Sequence, residues 1–139
     1  MADLIYDKFK EYCGDGTIDL DDDTLKILLL ADTYTPDSAD AVYADIIAHE
    51  IAAGSGYSTG GATLANVTWA DTAGVTKLDA DDPVWSTASF TARYAVVYSD
   101  TPESPADPLI CLLDLGANKT GQGGNFYITL HANGLLTST

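Results

Sequence analysis

The side chains of this chain that could carry out chemistry are mostly carboxylates, since Asp and Glu total 21 of 139 residues while Lys and Arg total 6. The acidic run at 19–23 (DLDDD) resembles the opening of a calcium-binding loop. An EF-hand loop also requires glycine at its sixth position and glutamate at its twelfth, where Thr24 and Leu30 stand. We interpret the run as solvated turn residues. A less regular cation site with oxygen ligands, at 19–23 or at 79–82, is the alternative interpretation.

The chain has few histidines that could take part in catalysis or bind a metal. His49 and His131 are the only two histidines, too few for a three-histidine zinc site. His49 is followed by Glu50, but position 53 is alanine, so the two-histidine pattern of zinc proteases is absent. We interpret both histidines as surface or interface residues.

The two cysteines are isolated from each other and from any metal-ligand spacing. Cys13 and Cys111 form no C-x-x-C pair, and we expect both to be free and partly buried. A single disulfide between them stays open. The carboxylates are too numerous to single out an acid–base pair. The residues therefore predict neither enzyme activity nor a cofactor.

The net charge of −15 limits the partners that the chain can bind. A negative field repels phosphate backbones and anionic lipids, so we expect no nucleic-acid partner and no membrane partner. The apolar runs are shorter than the roughly 20 residues that span a bilayer. The first residues lack the basic and apolar regions of a signal peptide. We expect synthesis in the cytoplasm.

Short apolar runs between turn residues predict the secondary structure. The predicted helices cover residues 3–13 and 37–47. The predicted strands cover 17–20, 24–32, 62–70, 75–80, 90–99, 109–115 and 126–132. The all-apolar part of the second strand, at 27–31, predicts a strand covered on both faces.

This order of elements predicts a mainly β, antiparallel β-sandwich of jelly-roll type, with a short N-terminal helix and one further short helix in the first third. At 139 residues the chain fits one domain. We expect a helical arm at 1–13 and a sandwich at 17–139. The strand order is not predicted.

Several segments together resemble a group of small virion structural proteins of tailed bacteriophages. The similarity spans most of the chain and lies at 4–10 (LIYDKFK), 18–20 (IDL), 24–30 (TLKILLL), 34–37 (YTPD), 56–64 (GYSTGGATL), 92–98 (ARYAVVY) and 108–110 (PLI). Such proteins are described as capsid decoration, cement or tail-associated proteins. The resemblance implies a virion component made in the host bacterial cytoplasm.

A capsid decoration protein would lie on the outer capsid surface and bind the major capsid protein and sister copies, as a dimer or trimer. We expect the contacts to come from the N-terminal helix, through Leu4, Tyr6 and Phe9, and from the strand that carries Arg93 and Tyr94. Arg93 is the only arginine and is expected to pair with a carboxylate, within the fold or across a subunit contact. The alternative is a tail-tip or fibre module that binds a host receptor.

Overall fold

The computed structural model describes residues 3–130 and 135–138. The helices are α1 (Asp7–Gly14) and α2 (Tyr43–Ile46), and a 3-10 turn at Ile47–His49 follows α2. The strands are β1 (Leu4–Ile5), β2 (Leu25–Leu30), β3 (Ala62–Thr63), β4 (Thr68–Thr72), β5 (Val75–Asp79), β6 (Val84–Ala88), β7 (Thr91–Ser99), β8 (Leu109–Thr120), β9 (Gly124–Tyr127) and β10 (Leu136–Ser138).

A five-stranded antiparallel sheet in the order β1-β8-β7-β2-β3 forms the centre of the fold. Its strand β2 is apolar throughout except for Lys26. Ile27 and Leu29 enter one buried cluster, whereas Leu28 and Leu30 enter another. Because successive side chains of a strand point to opposite faces, the two clusters lie on opposite faces of the sheet. The prediction that this strand is covered on both faces is confirmed.

Two smaller antiparallel sheets complete the β structure. One has the order β10-β5-β4, and the other pairs β6 with β9. Leu78 on β5, Trp85 on β6 and Phe126 on β9 all belong to the cluster that contains Ile27. These sheets therefore cover the same face of the central sheet as α1, which contributes Phe9.

The prediction of a mainly β, antiparallel fold with two short helices is confirmed by these elements. The jelly-roll arrangement is not confirmed. Across residues 3–130 and 135–138, the strands form separate sheets of five, three and two strands that do not close into one another.

Two of the predicted elements differ from the observed ones for local reasons. The helix expected at 37–47 begins only at Tyr43, because the Asp37 carboxylate accepts a hydrogen bond from the Ala39 amide and turns the chain there. Asp45 then caps α2 by accepting from the Val42 amide. The strand expected at 17–20 is absent, since this described segment is turn and irregular backbone.

Candidate functional site

Arg93 lies at an irregularity in the pairing of β7 with β8. Ala92 pairs with Lys119 and Tyr94 pairs with Asp114, so the register shifts at Arg93. The guanidinium forms an ion pair with the Asp114 carboxylate. The expected pairing with a carboxylate is therefore confirmed, and it is made within the fold.

The Arg93 side chain also lies against an aromatic ring. Its Cζ atom is 4.8 Å from the centroid of the Tyr94 ring. A guanidinium held by a carboxylate on one side and a ring on the other keeps a fixed orientation. The Arg93 side chain is 22% exposed, so this ordered cation still reaches the surface.

Aromatic side chains extend this surface away from Arg93. The Tyr94 ring meets the Tyr34 ring edge-on at 6.0 Å, and the Tyr34 ring lies 5.5 Å from His49. The Nδ1 atom of His49 is 3.0 Å from Thr33 Oγ1. We call Arg93, Tyr94, His49 and Asp114 the Arg93 surface. His49 is a half-buried surface residue there, as interpreted from the sequence.

The structure places the N-terminal candidates differently from the expected arm. Tyr6 is 0% exposed and Phe9 is 6% exposed, and Leu4 is half-buried. Leu4 pairs with Leu112 of β8, so the segment is part of the central sheet. Neither Tyr6 nor Phe9 can contact a partner directly without unfolding this region.

A chain of hydroxyl contacts connects Tyr6 to the Arg93 surface. The Tyr6 hydroxyl lies 3.2 Å from the Tyr34 hydroxyl, which donates to Asp40 Oδ2 at 2.8 Å. Burial raises the pKa of Tyr34 to about 12 and raises the pKa of Tyr6 further. Both hydroxyls therefore remain protonated. The contacts of the Tyr34 hydroxyl hold in place the ring that packs against Tyr94.

An exposed apolar pair that the sequence analysis missed lies on the opposite side of the central sheet. Val84 on β6 is directly opposite Tyr127 on β9, and they are 49% and 63% exposed. A groove of about 430 Å³ adjoins Tyr127. Its walls come from Leu115, Lys119, Thr120, Asn125, Phe126, Tyr127, Ile128 and Thr129. Exposed apolar side chains of this size beside a groove are typical of protein contact sites.

Glu50 is the most heavily hydrogen-bonded carboxylate of the described chain. It accepts from the Tyr43 hydroxyl at Oε1, and from the Tyr57 hydroxyl and the Gly60 amide at Oε2, at 2.5 and 2.8 Å. Burial and then the bond to Glu50 raise the pKa of Tyr43 and of Tyr57. These three hydrogen bonds use most of the acceptor capacity of the carboxylate, so Glu50 holds the surrounding loops together.

The acidic run at 19–23 forms a turn, as interpreted from the sequence. Asp19 Oδ1 accepts from the amides of Asp21 and Asp22, and Asp23 Oδ2 accepts from the Ser99 hydroxyl at 2.8 Å. No group of three or more His, Cys, Asp or Glu residues that could hold a metal ion occurs within residues 3–130 and 135–138. His131 lies outside the described residues.

Cys13 and Cys111 are both free, half-buried and buried respectively, as expected. In the part of the chain that the structure describes, no helix is long and apolar enough to cross a membrane.

No protein-family model matches the chain, and neither a curated protein nor a solved structure is significantly similar to it.

Proposed function

We propose that the chain is a structural protein of a bacteriophage virion, a capsid decoration or cement protein that binds the outer surface of the major capsid shell. The sequence segments that resemble small phage virion proteins support the virion assignment. The exposed pair Val84 and Tyr127 is the structural observation that supports a binding role. The jelly-roll arrangement is not needed for this proposal and stays a prediction.

Two surfaces are available for partners. The apolar pair and its groove offer area that is removed from water on binding, which favours association. The Arg93 surface offers an oriented cation and an aromatic ring in a chain that is otherwise strongly acidic. Arginine and tyrosine are enriched among residues that dominate interfaces. One surface would serve the capsid protein and the other a sister copy in a dimer or trimer.

The acidic side chains suit an outward-facing role. Asp21, Asp22 and Glu103 lie exposed in turns and loops. Like charges repeated over a shell repel other virions and keep them dispersed. Binding that favours the assembled shell over free subunits stabilises the shell by mass action. Many copies with modest contacts are sufficient because their avidity is high.

Quantitative mass spectrometry of virions purified from cells that make this chain tests the proposal. Hundreds of copies per virion support a shell component. A handful of copies would overturn it in favour of the tail-tip or fibre alternative, and no copies would overturn any virion role.

Variants then test the contact surface. Tyr127→Asp should lower the number of copies on the shell, because it places a charge in an apolar contact. Val75→Asp is the matched control, since Val75 is also an exposed strand residue, at 38%, but lies in the separate sheet of β10, β5 and β4. Equal loss for the two variants, or no loss for Tyr127→Asp, would contradict a contact at Val84 and Tyr127.

A further inference from the structure

Within residues 3–130 and 135–138, strand β4 forms an open edge of the three-stranded sheet. The sheet order is β10-β5-β4, so β5 occupies only one side of β4. Four of the five β4 side chains are exposed, and only Trp69 is half-buried. The strand contains neither proline nor a bulge, and its one charged side chain, Asp71, opposes pairing with another acidic strand but not with a cationic one.

The register of the β4–β5 hairpin shows which backbone groups point outward. Thr72 pairs with Val75 across the two-residue turn Ala73-Gly74, in which both φ angles are positive, at 55° and 87°. The pair next to such a turn is hydrogen-bonded, and hydrogen-bonded pairs alternate with non-bonded pairs along the ladder. Trp69 and Asp71 therefore direct their amide and carbonyl groups away from β5.

An independent contact agrees with this orientation. Trp69 pairs with Leu78, and the Leu78 carbonyl accepts from the Leu135 amide at 2.7 Å, on the side of β5 away from β4. The pair of Trp69 and Leu78 is thus a non-bonded one. The outward amide and carbonyl groups of Trp69 and Asp71 can therefore form hydrogen bonds with an added strand.

A groove lies on the Trp69 side of this edge. Its volume is about 320 Å³, and it is lined by Cys13, Gly16, Ile18, Asp19, Leu20 and Trp69. A residue of an added strand that lies opposite Trp69 projects its side chain to the same face as the indole. The groove can therefore receive an apolar side chain from a strand that pairs with β4.

The negative charge around the groove indicates what kind of segment can bind there. Between Lys10 and Lys26 the chain carries six carboxylates and no cationic side chain. Asp19 lines the groove, and Asp71 lies exposed on β4 itself. A second copy of this acidic chain would bring like charges together, whereas a cationic segment would be attracted.

We infer that the β4 edge binds an extended, lysine- or arginine-rich segment of another protein, which adds antiparallel to β4 and places an apolar side chain in the groove beside Trp69. This inference goes beyond the proposed function, because it holds whether the partner belongs to a capsid, a tail or a host cell. The backbone provides affinity, and an apolar side chain opposite Trp69 together with a cationic side chain opposite Asp71, on the same face, provides specificity.

A designed peptide tests the site on the intact protein. The probe is an acetylated and amidated Thr-Lys-Thr-Leu-Thr-Lys-Thr peptide, measured by isothermal titration calorimetry. In the inferred register its Leu lies opposite Trp69 and its first Lys lies opposite Asp71, so both side chains project to the face that carries the groove. The backbone amides of its Lys and Leu residues face β4, whereas those of its Thr residues face solvent. Methylation of the Lys and Leu backbone nitrogens should weaken binding about tenfold or more. Methylation of the two inner Thr nitrogens should leave binding nearly unchanged.

Equal binding of the two methylated peptides would overturn the inference, because charge alone would then account for the affinity. Hydrogen exchange gives a second readout. On binding, the exchange of the Trp69 and Asp71 amides should slow by about tenfold or more, while that of Ala70, already bonded to β5, should change little. Unchanged exchange at Trp69 and Asp71 would also overturn it.

A protein variant completes the test. Asp71→Pro removes the outward amide without removing a bond of the β4–β5 ladder, and should weaken binding about tenfold. Asp71→Asn keeps the amide and removes the charge, so it should weaken binding less. Circular dichroism shows whether each variant folds. The methylated peptides keep the inference testable on the unaltered chain if Asp71→Pro does not fold.

Discussion

The Tyr57 hydroxyl donates a hydrogen bond of 2.5 Å to Glu50 Oε2, and the two residues lie in loops on either side of the glycine-rich turn at 54–56. The same hydroxyl accepts from the Leu29 amide at 3.2 Å. Tyr57 therefore connects the Glu50 carboxylate to the backbone of β2, which lies next to the edge strand β3 of the main sheet. The hydrogen bond between Glu50 and Tyr57 holds the loop between them in place at this edge of the sheet.

Replacing Glu50 should destabilise the fold. Glu50→Ala leaves the Tyr43 and Tyr57 hydroxyls and the Gly60 amide without their acceptor. The expected loss in the free energy of unfolding is about 2–3 kcal/mol, measured by urea denaturation. Glu103→Ala is the control, because Glu103 is exposed, and its effect should stay within about 0.5 kcal/mol. Similar values for the two variants would refute a structural role for Glu50.

Asp107, which lies beside Asp100, should make stability depend on pH. Burial, and then the neighbouring Asp100, raise the pKa of Asp107, and Lys26 offsets part of this rise. The folded state therefore binds the Asp107 proton more tightly than the unfolded state. Stability is lost as the pH rises from the unfolded pKa through the folded pKa, and the loss persists at neutral pH.

Asp107→Asn should consequently stabilise the protein at neutral pH. The amide is always neutral and can donate to Asp100, and asparagine tolerates the left-handed backbone at this position, where φ is 51°. The gain should shrink as the pH falls below the usual range of aspartate pKa values. Thermal unfolding over a pH series measures both effects, and a gain that does not depend on pH would contradict the raised pKa.

The sequence predicted the strands in which apolar residues alternate with polar ones or follow one another without interruption. Strand β2 was predicted from its apolar run, and both of its faces are buried as expected. Strand β6 was missed, because Pro83 precedes it and its pairing with β9 shifts register between Trp85 and Ala88. Hydrogen bonds within loops, such as that of Asp37, decided where α2 begins, and periodicity does not reveal them.

Part of the candidate site was also predictable from the sequence, and part was not. A lone arginine in an acidic chain must find a carboxylate, and Arg93 does so at Asp114. Tyr6 and Phe9 have the same residue types as interface side chains, but their burial depends on how β1 pairs with β8, which the sequence does not specify. Val84 and Tyr127 come together only through the pairing of β6 with β9.

Gly61 should be nearly irreplaceable. A Cβ atom there would lie 1.9 Å from the Ile27 carbonyl oxygen, and φ is 82°. Gly61→Ala must push against the backbone of β2, so we expect a loss above about 3 kcal/mol or failure to fold.

Gly116 provides the matched comparison for Gly61. Its φ is 86°, but a Cβ atom there meets nothing within 4 Å. Gly116→Ala therefore incurs only the backbone strain, about 1 kcal/mol. Urea denaturation of the two variants separates steric contact from strain, and equal losses would show that the close approach of Gly61 to β2 is not the cause.

Both cysteine thiols should be unreactive in the folded protein. Burial raises the pKa of Cys13 to about 11, with Asp15 and Asp23 adding to the rise, and burial raises the pKa of Cys111 to about 12. The reactive thiolate is therefore a small fraction at about pH 8. A chromogenic disulfide reagent should label neither thiol quickly, and both at once after unfolding in guanidinium without reductant. Rapid labelling of Cys13 in the native protein would contradict the packing of this α1 residue against the hydrophobic core. No labelling after unfolding would reveal a Cys13–Cys111 bridge.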